Sequence, residues 1–221
     1  PYQAALIAWQ QRSGWPVLAD PLAAIPNRLS GVIRYWDLLL PHGLSQMPAN
    51  ARVLRLGSMP ASRRLEAWLE SQQGPQLLIT EADPRPLDPL EVAQQWSGGL
   101  AQWWQQRSTQ LNAIPAGSSA PTPQTRSVLE SWENADAAVG KRLSALLPIQ
   151  GAANEPALMV ALAQLLPAER PVMLAASSPV RDWQAFAAGD TGRRRCFSFR
   201  GASGIDGTLS LALGLAAELG S

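Results

Sequence analysis

Short apolar runs of β character alternate with longer helical runs along the whole chain, and this alternation restricts the fold more than any other feature. Residues 52–57 read as a strand. They lead through Ser58-Met59-Pro60 into a helix over 61–72 with Leu65, Trp68 and Leu69 on one face. Residues 76–80 read as a strand before a Pro/Asp-rich turn over 83–89. Residues 171–177 and 196–199 read as strands, each followed by a helix, over 181–187 and 208–219. A strand that returns through a helix lies parallel to its predecessor, so the expected class is α/β with a mainly parallel sheet.

The remaining segments fill in the same plan. Residues 4–11 read as a helix stopped by Ser13-Gly14, and 15–21 as a buried strand ending in an Asp-Pro turn. Residues 31–40 read as an apolar helix closed by Pro41, and 92–106 as a helix carrying Trp96, Trp103 and Trp104. The stretch 109–125 is rich in Pro, Ser, Ala and Gly and reads as a linker. Helices are expected over 126–147 and 155–166.

Composition removes several function classes. A net charge of +1 gives no reason to expect nucleic acid or an anionic membrane as partner. Cys196 is the only cysteine, which rules out an internal disulfide and fits a reducing, cytoplasmic compartment. No apolar run approaches the roughly 18 residues of a membrane span. His42 is the only histidine, so histidine triads and multi-histidine metal sites are excluded. Glu81, Asp83 and Asp88 surround the Pro-rich turn and read as solvated turn residues. The chain starts at Pro1 without an initiator methionine, and the expectation is an excised piece of a longer protein.

What remains is a set of arginines and serines at strand–helix junctions. Arg63 and Arg64 follow Pro60-Ala61-Ser62 at a helix start. Ser177 and Ser178 end a strand with Arg181 in the helix behind. Arg200 ends the next strand and opens the stretch Arg200-Gly201-Ala202-Ser203-Gly204-Ile205-Asp206-Gly207. Helix starts expose free N–H groups and a partial positive charge, and arginines placed there suit carboxylates. Each junction alone fits an exposed helix face or an N-cap, Asp206 included. Their recurrence favours a polyanionic small molecule bound at the carboxyl ends of the strands.

The stretches 177–182 and 200–207 together resemble the 2-succinyl-5-enolpyruvyl-6-hydroxy-3-cyclohexene-1-carboxylate synthase family of menaquinone and phylloquinone biosynthesis. Residues 14–22 and 55–65 resemble the central domain of the same family, whereas 109–149 contribute little. The resemblance implies a thiamine-diphosphate transferase. Residues 1–120 would be its central domain with a C-terminal linker, and 121–221 the first part of its diphosphate-binding domain. Both would be Rossmann-like with parallel sheets, the second incomplete. It implies decarboxylation of 2-oxoglutarate and addition of the succinyl-semialdehyde unit to isochorismate, in a homodimer or homotetramer. Ser177, Arg181, Arg200, Arg63 and Arg64 would then bind substrate, and Ile205 would pack against the cofactor.

Two departures stand out: Phe199 and Ala176 replace asparagines usual in the family. The resemblance also implies that the activating glutamate and the ligands of diphosphate and Mg²⁺ (or Mn²⁺) lie outside this chain. No catalytic or metal-binding residue is therefore expected within it, and the isolated chain is expected to be inactive. Two alternatives stay open: a thiamine-diphosphate enzyme acting on another 2-oxo acid, and a non-catalytic binding or assembly module of the same fold.

Overall fold

The structure, a computed structural model, describes residues 1–23, 25–26, 28–42, 50–112, 121–147, 154–190, 194–199 and 207–220. The chain divides into two compact units. The first comprises Pro1–Leu18 and Arg28–Asp136, the second Ala19–Asn27 and Ala137–Ser221.

The first unit opens with helix α1 (Tyr2–Ser13), which ends at Gly14 in the left-handed conformation, its N–H returned to the Gln10 carbonyl. Strands β1 (Val17–Leu18) and β2 (Val32–Ile33) pair in parallel. The short helix α2 (Trp36–Leu39) follows and runs into a 3₁₀ turn, Leu40–His42. Next come strand β3 (Val53–Leu56), helix α3 (Arg63–Ser71), and strands β4 (Gln76–Ile79) and β5 (Gln94–Trp96). These three strands form one parallel sheet in the order β3-β4-β5. Helix α4 (Gly99–Asn112) packs on α1. Helix α5 (Pro123–Leu146) begins in this unit. Leu6, Ile33, Trp36, Leu69, Leu78, Leu100 and Trp132 are sealed in its interior, and burying side chains of this size contributes about 1.5–3 kcal/mol each.

The second unit contains helix α6 (Glu155–Leu165), strand β6 (Val172–Met173), helix α7 (Ser178–Phe186), a 3₁₀ turn (Ala188–Asp190), strand β7 (Cys196–Phe197) and helix α8 (Thr208–Leu219). β6 and β7 are parallel, with Val172 opposite Cys196 and Met173 opposite Phe197. Leu174, Val180 and Trp183 are buried, and α7 packs on α6. Helices α6 and α8 bury no residue and leave Leu158, Leu165, Leu209, Leu211 and Leu213 exposed.

All strand pairs within the three sheets are parallel, as expected for the class. Three local readings are corrected. The helix expected over 92–106 is β5 followed by α4. Pairing with β4 makes a strand of Gln94–Trp96, and Gly99 turns at a φ of 79° into the helix. The helix expected over 31–40 is β2 followed by α2, and the chain continues through Pro41 in the 3₁₀ turn. Of the expected linker over 109–125, α4 claims residues up to Asn112 and α5 begins at Pro123. None of the nine tryptophans is exposed; Trp36, Trp132 and Trp183 are almost fully buried, and Trp9 meets Trp15 edge to face.

Candidate functional site at the strand ends

The carboxyl end of β3 carries the first arginine pair. Gly57 turns the chain at a φ of 78° while its N–H reaches the Ile79 carbonyl at 2.9 Å. Nothing lies within 4 Å of where a Cβ would sit, so the dihedral rather than space calls for glycine. Ser62 then caps α3, its Oγ accepting from the Leu65 N–H at 3.1 Å. The same hydroxyl donates to Asp37 Oδ1, and Arg64 Nη1 donates to Asp37 Oδ2 at 2.7 Å. Arg63 is exposed and has no hydrogen bond or ion pair among the described residues. Two cations in the first turn oppose the helix dipole, and each such placement costs about 0.3–1 kcal/mol. Asp37 offsets the second of them.

The loop between β4 and β5 also leaves the strand ends, and here the sequence reading is corrected again. Asp88 is no solvated turn residue. Its carboxylate is buried, takes Arg55 Nη2 at 2.6 Å, and accepts the N–H groups of Leu90, Val92 and Ala93. Burial pushes the Asp88 carboxyl up, but Arg55 and the Ala93 and Leu90 N–H groups outweigh it and hold the group below the usual carboxylate range. Glu81 accepts the Leu100 N–H at the start of α4. Asp83 does stay near water, where the hydrogen bond from Arg85 lowers it to about 2.

In the second unit the carboxyl end of β6 leads to Ser177. Ser177 holds φ 80° and ψ −129°, a region that glycine enters freely and other residues only under strain. It stands at the N-cap of α7 yet makes no capping hydrogen bond. Ser178 Oγ is turned instead to Asp182 Oδ2. Arg181, in the first turns of α7, is exposed without hydrogen bond or ion pair among the described residues. The parallel pairing of β6 and β7 sends the chain out of both strands at one sheet edge. Arg200 and Ile205 lie outside the described residues. Gly207, not Asp206, occupies the N-cap position of α8.

Arg63 and Arg64 thus stand at the start of α3 in the first unit, and Ser177 and Arg181 at the start of α7 in the second. Sequence reasoning missed Asp37 and the Arg55–Asp88 pair, and it missed two further polar anchors. Asp136 Oδ1 on α5 accepts the N–H groups of Arg34 and Tyr35 at 2.9 and 2.7 Å, where α2 begins. Burial raises its carboxyl, and those two hydrogen bonds only partly oppose that. Arg194 is buried and donates to the carbonyls of Ala163, Leu166 and Pro167 at the end of α6, with its guanidinium over Trp183. These contacts join residues distant in sequence, and no local pattern announces them. Among the described residues no cluster of three or more His, Cys, Asp or Glu could hold a metal ion, and no helix is long and apolar enough to cross a membrane.

The parallel pairing of every sheet, with strands returning through helices, makes this an α/β protein of Rossmann-like units. The family described as "Middle domain of thiamine pyrophosphate" matches residues 2–174, and the chain belongs to that family. It is 76% identical over 220 residues to the 2-succinyl-5-enolpyruvyl-6-hydroxy-3-cyclohexene-1-carboxylate synthase of Synechococcus sp. (strain CC9311), a match covering 100% of this chain and 38% of that protein. It is 58% identical over 219 residues to the protein of that name from Synechococcus sp. (strain WH7803), covering 99% and 37%. The Prochlorococcus marinus (strain MIT 9313) protein of that name is 54% identical over 220 residues, again covering 99% and 37%. The chain therefore spans less than two fifths of the length of these curated relatives.

Proposed function

We propose that the chain is the central part of a thiamine-diphosphate-dependent synthase that decarboxylates 2-oxoglutarate and joins the succinyl-semialdehyde unit to isochorismate. The observation that carries this reading is the 76% identity over the full chain to a relative of that name. The strand ends fit the chemistry. Both substrates are dicarboxylates, and Arg63, Arg64 and Arg181 are exposed guanidiniums beside helix N-termini. In this reading those three arginines, Ser177 and Arg200 bind substrate carboxylates. Ser177 lends a hydroxyl that no cap consumes. Ile205 packs against the cofactor, whose own chemistry stabilises the charge left when carbon dioxide departs. The described residues do not fit a divalent ion, and no step is assigned to one within this chain.

The proposal extends to a domain boundary near residue 120, a cytoplasmic setting and assembly as a homodimer or homotetramer. The test is an assay of the complete polypeptide containing this sequence with thiamine diphosphate, Mg²⁺, 2-oxoglutarate and isochorismate. The expected product is the cyclohexene carboxylate of the relatives' name. An enzyme that turns over pyruvate but not 2-oxoglutarate, or none of these, overturns the reading. Light scattering of the same protein tests the assembly.

A further inference from the structure

Asp37 is held rigidly from behind. Trp36 is fully buried, Leu39 and Leu40 are nearly so, and the N–H groups of Arg34 and Tyr35 are fastened to Asp136. The carboxylate therefore arrives at the start of α3 on a fixed element. Its two oxygens are then divided: Oδ1 takes the hydroxyl of Ser62 and Oδ2 takes Nη1 of Arg64. A carboxylate with both oxygens free grips a guanidinium through two parallel bonds. Here the guanidinium takes only one of the two oxygens, through Nη1, while the other oxygen carries the Ser62 hydroxyl.

Arg64 carries five N–H donors. Nη1 alone is used, toward the Asp37 carboxylate and, at 3.5 Å, the Asp37 carbonyl. Nε and Nη2 have no partner among the described residues, and the side chain is 50% exposed. The result is an arginine aimed by one arm with its outer edge left open for a planar, two-oxygen ligand. An arginine serving only to bind Asp37 would gain from a bidentate grip, which Arg64 does not make.

We infer that Asp37, steadied by Ser62, is a positioning residue that orients Arg64 toward a ligand carboxylate. The inference rests on the proposed reading that Arg64 meets substrate. Its mechanism is preorganisation: an aimed guanidinium loses less rotamer freedom when the ligand arrives.

The test is a double-mutant cycle in the complete synthase with Asp37→Asn, Arg64→Ala and the pair, measuring kcat and KM for 2-oxoglutarate and isochorismate in turn. Asp37→Asn keeps the side-chain shape. It is expected to lower kcat/KM for one substrate by about tenfold to a hundredfold, chiefly through KM. In the Arg64→Ala background the same change is expected to add less than about twofold, since there is then nothing to aim. An impaired Arg64→Ala enzyme beside a wild-type-like Asp37→Asn enzyme overturns the positioning role alone. Equal losses from Asp37→Asn in both backgrounds overturn it too, because Asp37 then acts without Arg64. Wild-type kinetics for Arg64→Ala overturn the reading of Arg64 and this inference with it. Should Asp37→Asn fail to fold, Arg64→Lys asks the same question, as a lysine keeps the charge but has no outer fork. Its expected loss approaches that of Arg64→Ala, and wild-type kinetics overturn the inference.

Discussion

At the end of β3 the chain turns through Gly57 at φ 78°, and at the end of β6 it turns through Ser177 at φ 80°. Both junctions pass through a positive φ and then enter a helix with arginine in its first turns. They differ in how their polar groups are used. In the first unit Ser62 caps α3 and meets Asp37, Asp37 holds Arg64, and Arg55 is sealed against Asp88. In the second, Ser177 caps nothing and Arg181 pairs with nothing among the described residues. The first junction spends most of its polar chemistry on holding itself together. The second keeps a strained serine and an unpaired cation that folding alone does not require, and strain of that kind concentrates at functional sites.

The sharpest way to break this contrast is to exchange the roles of stability and activity. Arg55→Met should destabilise the complete protein by about 3–5 kcal/mol, since it leaves the buried Asp88 carboxylate without its cation. Chemical denaturation measures this. A loss below about 1 kcal/mol would show that the N–H groups around Asp88 suffice and that the first unit is less self-contained than described. Arg181→Ala should leave the thermal midpoint unchanged and lower kcat/KM by about 10²-fold, the weight of a charge-assisted hydrogen bond of about 1.5–3 kcal/mol. A variant that melts several degrees lower yet keeps its kinetics would make Arg181 a structural residue.

Ser177→Gly sharpens the contrast from the other side. Glycine relieves the strained backbone but is also freer when unfolded, so the net gain in stability should be about 1 kcal/mol. Activity should fall as the hydroxyl is lost. A less stable glycine variant would mean that the serine side chain has a structural partner after all. Ser62→Ala should instead cost about 1 kcal/mol through loss of the cap. Melting curves of the two variants side by side decide whether the two serines differ as described.

The elements that carry this contrast were legible in the sequence, and the polar pairings that make it were not, for a physical reason. Helices α3, α6 and α8 fall within two residues of their expected bounds because caps and apolar faces are local signals. The arginine-bearing junctions followed from the same signals. β5 was lost inside an expected helix because the two glutamines of Gln94-Gln95-Trp96 give no apolar alternation, and its pairing with β4 makes it a strand. Asp88 passed for a turn residue because its partner Arg55 lies 33 positions away. Asp37, 27 positions before Arg64, was invisible for the same reason. The resemblance pointed to the arginines, but only the structure shows that Arg64 is held by Asp37 while Arg63 and Arg181 pair with nothing among the described residues.

The smallest expected effect concerns Asp136, the anchor behind α2. Its carboxyl is raised by burial above the value near 3.9 that it has in the unfolded chain. A raised acid favours the folded state while protonated. That contribution is complete below the unfolded value and is lost as pH rises through the folded one. Asp88 slopes the other way: its lowered carboxyl adds stability above the unfolded value that disappears as pH falls toward the folded one. Asp136→Asn separates the two. Both backbone N–H groups bond to the single oxygen Oδ1, so an amide oxygen can keep both. The variant should stay within about 1 kcal/mol of the parent at neutral pH, as hydrogen bonds of this kind contribute about that much. It should also lose the decline contributed by Asp136 as pH rises from 4, so the remaining acid dependence steepens toward that of Asp88. Stability measured by denaturant titration across pH 3–7 reads this out. A uniform loss of more than about 2 kcal/mol would show instead that α2, and with it Asp37, depends on the charge of Asp136.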